Sequence, residues 1–165
     1  MTMKKLLAIL TGMLCLAGCA CHQQEQREPV VIDLDDPQVQ DFMEDFVVVP
    51  STSDIKVERL DIKVFQVFEE GVCLAMERNP NFHYHDVYDG NVVLYFADEE
   101  SKIYDGRIIK GKEGKAYYVG TYTYISNVGK KNTVKVYMEY YDFAYNFVEL
   151  GNRLKEKKNR NHLEI

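Results

Sequence analysis

Lys115-Ala116-Tyr117-Tyr118-Val119-Gly120-Thr121-Tyr122-Thr123-Tyr124-Ile125-Ser126, a loop holding Gly129, and then Asn132-Thr133-Val134-Lys135-Val136-Tyr137-Met138-Glu139-Tyr140 decide the fold. Both runs have a period of two. Tyr117, Val119, Thr121, Thr123 and Ile125 alternate with Tyr118, Gly120, Tyr122 and Tyr124, and Val134, Val136, Met138 and Tyr140 share one face. β-branched and aromatic residues suit a pleated, half-buried surface, and two such runs around a short loop predict a hairpin. Gly120, inside the first run, marks a bulge or a sharp corner.

Working outward, the same period recurs upstream. Leu60, Ile62 and Val64 lie on one side of a strand and Arg59, Asp61 and Lys63 on the other, and from Phe65 both sides turn apolar. Glu69-Glu70-Gly71 is hairpin-like, and Val72 to Met76 returns. A third strand runs from Asn91 to Ala97, with Val92, Leu94 and Phe96 opposed to Val93 and Tyr95, and a short one spans Arg107 to Lys110 between glycine turns. No segment of helical crossover length separates these strands, which argues against a parallel sheet. The fold class is mainly β. A small antiparallel barrel, OB-like or SH3-like with a bent first strand, buries its edges best; a two-sheet sandwich is the alternative.

Helices flank the strands. Asp36-Pro37 offers an N-cap followed by proline at the first helical position, and Val39, Phe42, Met43 and Phe46 follow at helical spacing. Tyr140, Phe143, Phe147, Leu150 and Leu154 recur at three and four, predicting a C-terminal helix over 142–157 that Gly151 weakens by about 1 kcal/mol. The domain is thus 37–158, with 159–165 a disordered tail. Arg153, Lys155, Lys157, Lys158 and Arg160 make this end basic, either a solvated face or a contact for anionic headgroups.

The other end of the chain is a different kind of segment. Lys4 and Lys5 precede an apolar run, Leu6 to Leu16, and the small residues Ala17 and Gly18. This is the layout of a secretory signal over 1–18, too short to span a bilayer. Leu16-Ala17-Gly18-Cys19 resembles the lipobox of bacterial lipoproteins. The resemblance implies cleavage before Cys19, acylation of its thiol, and residues 19–36 as a lipid-anchored tether; two or more acyl chains hold a protein stably on a membrane. Ala20, not Asp, at the next position implies sorting to the outer membrane where a cell has two.

Composition narrows the partners. Removing residues 1–18 takes away Lys4 and Lys5, leaving 18 basic residues against 26 acidic ones and moving the formal charge from −6 to −8. Such a domain repels phosphate backbones, so nucleic acid is not a partner. Cys21 and Cys73 are the unmodified cysteines of the mature chain; Cys73, in an apolar strand, reads as a buried thiol, and pairing with Cys21 is the alternative.

Motifs for catalysis are weak. His83 and His85, two apart beside Asp86 and Asp89, fall short of the three or four ligands of a zinc site. There is no G-x-S-x-G. Gly111-Lys112-Glu113-Gly114-Lys115 lacks the spacing and Ser/Thr of a phosphate loop. Asp98, Glu99, Glu100 and Asp105 lack the calcium-loop pattern. No catalytic residue, metal site or cofactor is assigned.

Val64-Phe65-Gln66-Val67-Phe68-Glu69-Glu70-Gly71-Val72-Cys73-Leu74-Ala75 and Val119-Gly120-Thr121-Tyr122-Thr123-Tyr124 resemble two hairpins of small lipoproteins of Bacteroidota, over residues 62–137. Asn132-Thr133-Val134 stands where that group has K-T-V. The resemblance supplies no catalytic residues.

All 12 Tyr lie between Tyr84 and Tyr145, and there is no Trp. Tyrosine offers large contact area at low entropy cost, so Tyr118, Tyr122 and Tyr124 form the candidate binding face; half-buried strand packing is the alternative. The expectation is a lipid-anchored envelope lipoprotein, held to the membrane by Cys19, acting as a non-enzymatic binding or structural module for a protein or glycan partner. A carrier of a small apolar ligand comes second and a hydrolase third.

Overall fold

Each segment of period two forms a strand in the computed structural model, which describes residues 34–69, 71–82, 86–97, 101–126 and 128–163. The signal, Cys19, Cys21, the tether up to residue 33, His83, His85, Glu99 and Glu100 lie outside the described residues. The order is α1 (Pro37–Met43), β1 (Phe46–Val48), a 3-10 turn (Thr52–Asp54), β2 (Lys56–Arg59), β3 (Ile62–Glu69), β4 (Val72–Glu77), β5 (Val92–Phe96), β6 (Ile108–Ile109), β7 (Lys115–Ile125), β8 (Lys131–Met138) and α2 (Tyr141–Leu163).

Both helices start where the sequence puts them, to within a residue. Asp36 caps α1, its carboxylate accepting the Gln38 N–H at 2.8 Å, with Pro37 at the first turn. Phe46 leaves the helix, because the β-branched run Val47-Val48-Val49 favours extended backbone; β1 results, a strand that helical spacing had hidden. At the other end α2 runs on to Leu163, so residues 159–163 are helical and not the expected disordered tail. Lys155 to Leu163 contains no proline, glycine or β-branched residue to stop it.

All eight strands belong to one sheet, ordered β1-β7-β8-β5-β4-β3-β6, with β2 also pairing β7. The two-sheet sandwich is therefore not the arrangement. Nor is the sheet wholly antiparallel: β5 and β8 run parallel from Val93 opposite Lys135 to Phe96 opposite Met138. The crossover that allows this is built from β6 and β7, not from a helix. As a hydrogen-bonded ladder the sheet is open. Chain nevertheless links β7 to the other side of the sheet, since β2 on β7 passes into β3 on β4 through Leu60 and Asp61 alone, and the Leu60 N–H donates to the Gly114 carbonyl at 2.7 Å.

Alternation divides the apolar residues between two cores. The first takes Val72, Leu74, Leu94, Phe96, Val134, Val136 and Met138 from the sheet and buries them against α1, β1 and the Phe143, Ala144, Phe147, Val148 and Leu150 face of α2. The second takes Leu60, Ile62, Val64, Cys73, Ala75, Val93, Tyr95, Ile109, Ala116 and Tyr137 from the opposite side of the strands. Tyr137 is fully buried there, its hydroxyl donating to the Glu58 carboxylate at 2.6 Å. Burial first, and that bond second, hold the phenol well above its usual titration range.

Three register slips set which side chains reach which core, two in β3 against β4 (Val64/Gln66 and Val67/Glu69) and one in β7 against β8. In β3 the register with β4 slips between Val64 and Gln66, so the second core receives Ile62 and Val64 and then Val67, while Phe68 crosses to the first. In β7 the register with β8 slips between Tyr118 and Gly120. Gly120 sits at φ +143, and a Cβ there would lie 2.1 Å from the Val47 carbonyl oxygen, so only glycine admits β1 this close.

Candidate functional site

The bulge in β7 separates the three tyrosines that simple alternation puts on one face. Tyr118, before it, packs in the second core against Tyr137, with ring centroids 5.7 Å apart. Tyr122 and Tyr124, after it, turn to the first core. The candidate face Tyr118, Tyr122, Tyr124 is therefore corrected to a pair, Tyr122 and Tyr124, whose rings are nearly parallel (12°) at 6.2 Å.

This pair forms one wall of a cleft of about 720 Å³. The floor is apolar and comes from the sheet: Val72 and Leu74 of β4 and Leu94 of β5. Phe65 and Phe68, at the two register slips of β3, line the cleft as well. Phe46 closes the inner end, 4.6 Å from the Tyr122 ring and 5.2 Å edge-on to Phe147 of α2. The cleft is thus an extension of the first core beyond the reach of α2. Polar groups mark its rim: Asp45, Gln66, Thr123, Ser126 and Lys131. Burial, and more weakly the negative charge of Asp45, raise the Tyr122 phenol above its ordinary value, so it stays a neutral hydroxyl at physiological pH. Large apolar area with a few polar groups at the edge is the usual make-up of a ligand site, and the volume lies within the roughly 300–1,000 Å³ of such pockets.

Of the aromatic residues lining this cleft, the sequence reading names Tyr122 and Tyr124 and leaves out Phe46, Phe65 and Phe68. The doubling of apolar residues after Phe65 was the signal for Phe68, since a strand apolar on both faces must serve two environments; Phe46 and Phe65 had none.

A polar cluster lies elsewhere. The Tyr88 hydroxyl donates to Asp61 at 2.8 Å; Arg78 pairs with Asp61 and Asp86 at 3.6 and 3.5 Å; Lys110 pairs with Asp86 at 3.6 Å. Desolvation first and the Asp61 contact second push the Tyr88 phenol up to about 12. These are partly exposed, mutually neutralising groups, with no serine or cysteine nucleophile among them. Cys73 is buried, and desolvation pushes its thiol up to about 12, leaving it protonated and poorly nucleophilic. Among the described residues no group of three or more His, Cys, Asp or Glu converges, and no helix is long and apolar enough to cross a membrane.

No family model, no curated protein and no solved structure matches this chain. The cleft stands on its own geometry.

Proposed function

We propose that this chain is a lipid-anchored envelope lipoprotein, carried on Cys19 and sorted to the outer membrane, whose β domain is a non-enzymatic binding module for a protein or glycan partner. The observation that carries the binding part is the aromatic cleft. Two nearly parallel tyrosine rings and two phenylalanines line it together with apolar residues of the sheet, and hydroxyl, amide and charged groups share the lining. Flat rings pack against the apolar faces of sugars or against aliphatic and aromatic side chains, and the rim supplies hydrogen bonds that fix orientation. The anchor rests on the lipobox and signal alone.

The domain itself we read as a partly open, OB-like barrel of five strands in the order β2/β3, β4, β5, β8, β7. Supporting this are the continuity of β2 into β3 through two residues and the pairing of those halves with β7 and β4. A carrier of a small apolar ligand is the second reading, favoured by the apolar floor and by a volume suited to one such molecule.

The test compares capture from envelope extract, and from immobilised glycans, by the soluble mature chain and two variants. Tyr122→Ala with Tyr124→Ala should abolish capture, and Tyr118→Ala should not. Equal capture by all three removes the cleft from consideration. An apolar small molecule recovered by solvent extraction of the purified protein favours the carrier. Intact-mass analysis of membrane-extracted protein tests the anchor separately: a chain starting at Met1, or without fatty acid, overturns it.

A further inference from the structure

The end of α2 lies beside the point where the N-terminal segment enters the domain. Leu34 packs on the first core, Asp35 is ion-paired with Lys157, and Asp35 and Lys157 line one shallow hollow together with Lys155 and Lys158. The buried face of α2 finishes at Leu150 and the half-buried Leu154. Beyond it, over 155–160, every side chain but Lys157 is exposed.

Charge is concentrated there. Residues 153–160 hold five basic side chains against Glu156, a surplus of four positive charges, whereas the remainder of the chain from Cys19 on carries twelve negative ones in excess. The helix dipole does not account for this. It favours cations only within the last turn, and α2 ends at Leu163, so Arg153, Lys155 and Lys158 lie outside its reach.

We propose that the last turns of α2 are a docking surface for an anionic lipid bilayer, and that they turn the domain so that its basic end faces the membrane holding the anchor. The proposal rests on the anchored reading. Cys19 to Asp35 spans at most about 58 Å when extended, so a lipid on Cys19 keeps Asp35, and with it the basic turns, within that distance of the headgroups. Juxtamembrane basic residues gain from the negative surface potential of such a leaflet, and the acidic bulk of the domain is repelled from it. Two opposed forces on one body fix its orientation.

The experiment uses the chain from residue 19 on with Cys19→Ser, so its outcome does not depend on acylation. It is sedimented at low salt with vesicles of phosphatidylcholine alone or mixed with an equal amount of phosphatidylglycerol. Binding is expected on the mixed vesicles only, and added salt should weaken it. Each neutralised basic residue should cost about fivefold in partition, the equivalent of about 1 kcal/mol. Lys155→Gln with Lys158→Gln should therefore weaken partition about twenty-five-fold, and Arg153→Gln with Arg160→Gln similarly. Lys56→Gln with Lys63→Gln, the same loss of charge on exposed strand positions, should leave it unchanged. Equal sedimentation with both vesicles, or the same loss from all three pairs, overturns the proposal. Loss of acylation in the mass analysis while vesicle binding persists removes the anchor and leaves the lipid surface standing.

Discussion

In the second core Ile62, Val64, Ala75, Val93 and Tyr95 meet across strands, with Leu60 and Ile109 completing the enclosure; in the first, the same strands lay Leu74, Leu94, Phe96 and Val136 against helices. The second core is finished by the sheet's own chain, since Leu60 carries β2 into β3 and bonds to Gly114. The first is finished by α2, which covers part of the face and leaves the rest as the cleft. A sheet buried on both sides by different devices can be tight on one and open on the other. The cleft lies where the covering helix gives out.

Breaking the helix-covered side should have the largest effect. Phe147 is almost wholly buried and makes ring contacts with Phe42, Phe46 and Phe96. Phe147→Ala should cost about 3–5 kcal/mol in urea unfolding and loosen the inner end of the cleft through Phe46.

The side holding the second core should fail first at alkaline pH. Burial raises the phenols of Tyr95 and Tyr137. A folded pKa above the unfolded value of about 10 gives stability that is present below pH 10 and is lost as pH rises through the folded value. Titrated by far-UV dichroism, the protein should lose stability progressively above about pH 10. Tyr137→Phe should delay that loss, while costing about 1–3 kcal/mol at neutral pH because Glu58 loses its donor.

Gly151→Ala sharpens the contrast on the helix side. Alanine is worth about 1 kcal/mol in helix propensity, but its Cβ would come within 2.7–2.8 Å of the Val48 methyl groups. Overpacking costs about 1–3 kcal/mol, so the net change should be a loss of about 1 kcal/mol by thermal denaturation. Tyr124→Ala, at the mouth of the cleft, should change stability least, by less than about 1 kcal/mol.

The strands were legible because alternation is local. Leu60, Ile62 and Val64 share a core as their spacing says, and so do Val134, Val136 and Met138. Asp36 and Pro37 announced α1. What periodicity could not show was where the count resets. A bulge inserts one residue, and every side chain after it changes face. Gly120 signalled the bulge in β7, yet a reading that counts through it keeps Tyr118 with Tyr122. The bulge at Phe65 carried no glycine at all. The β3–β4 and β7–β8 hairpins were legible, but pairing beyond them was hidden, because the parallel β5–β8 contact depends on a crossover without a helix. Only the aromatic half of the cleft on β7 was visible in the sequence; Phe46 and Phe65 reach it through bends that no local pattern encodes.

β7 takes hydrogen bonds from β1, β2 and β8. Its first two partners are synthesised long before it, with about 75 residues of chain between Phe46 and Tyr122. Loop closure over such a span is slow compared with forming a hairpin. A polypeptide threaded N-terminus first through any narrow passage would therefore travel with β1 and β2 still waiting, and could lock into shape only after the β7–β8 hairpin had emerged on the far side.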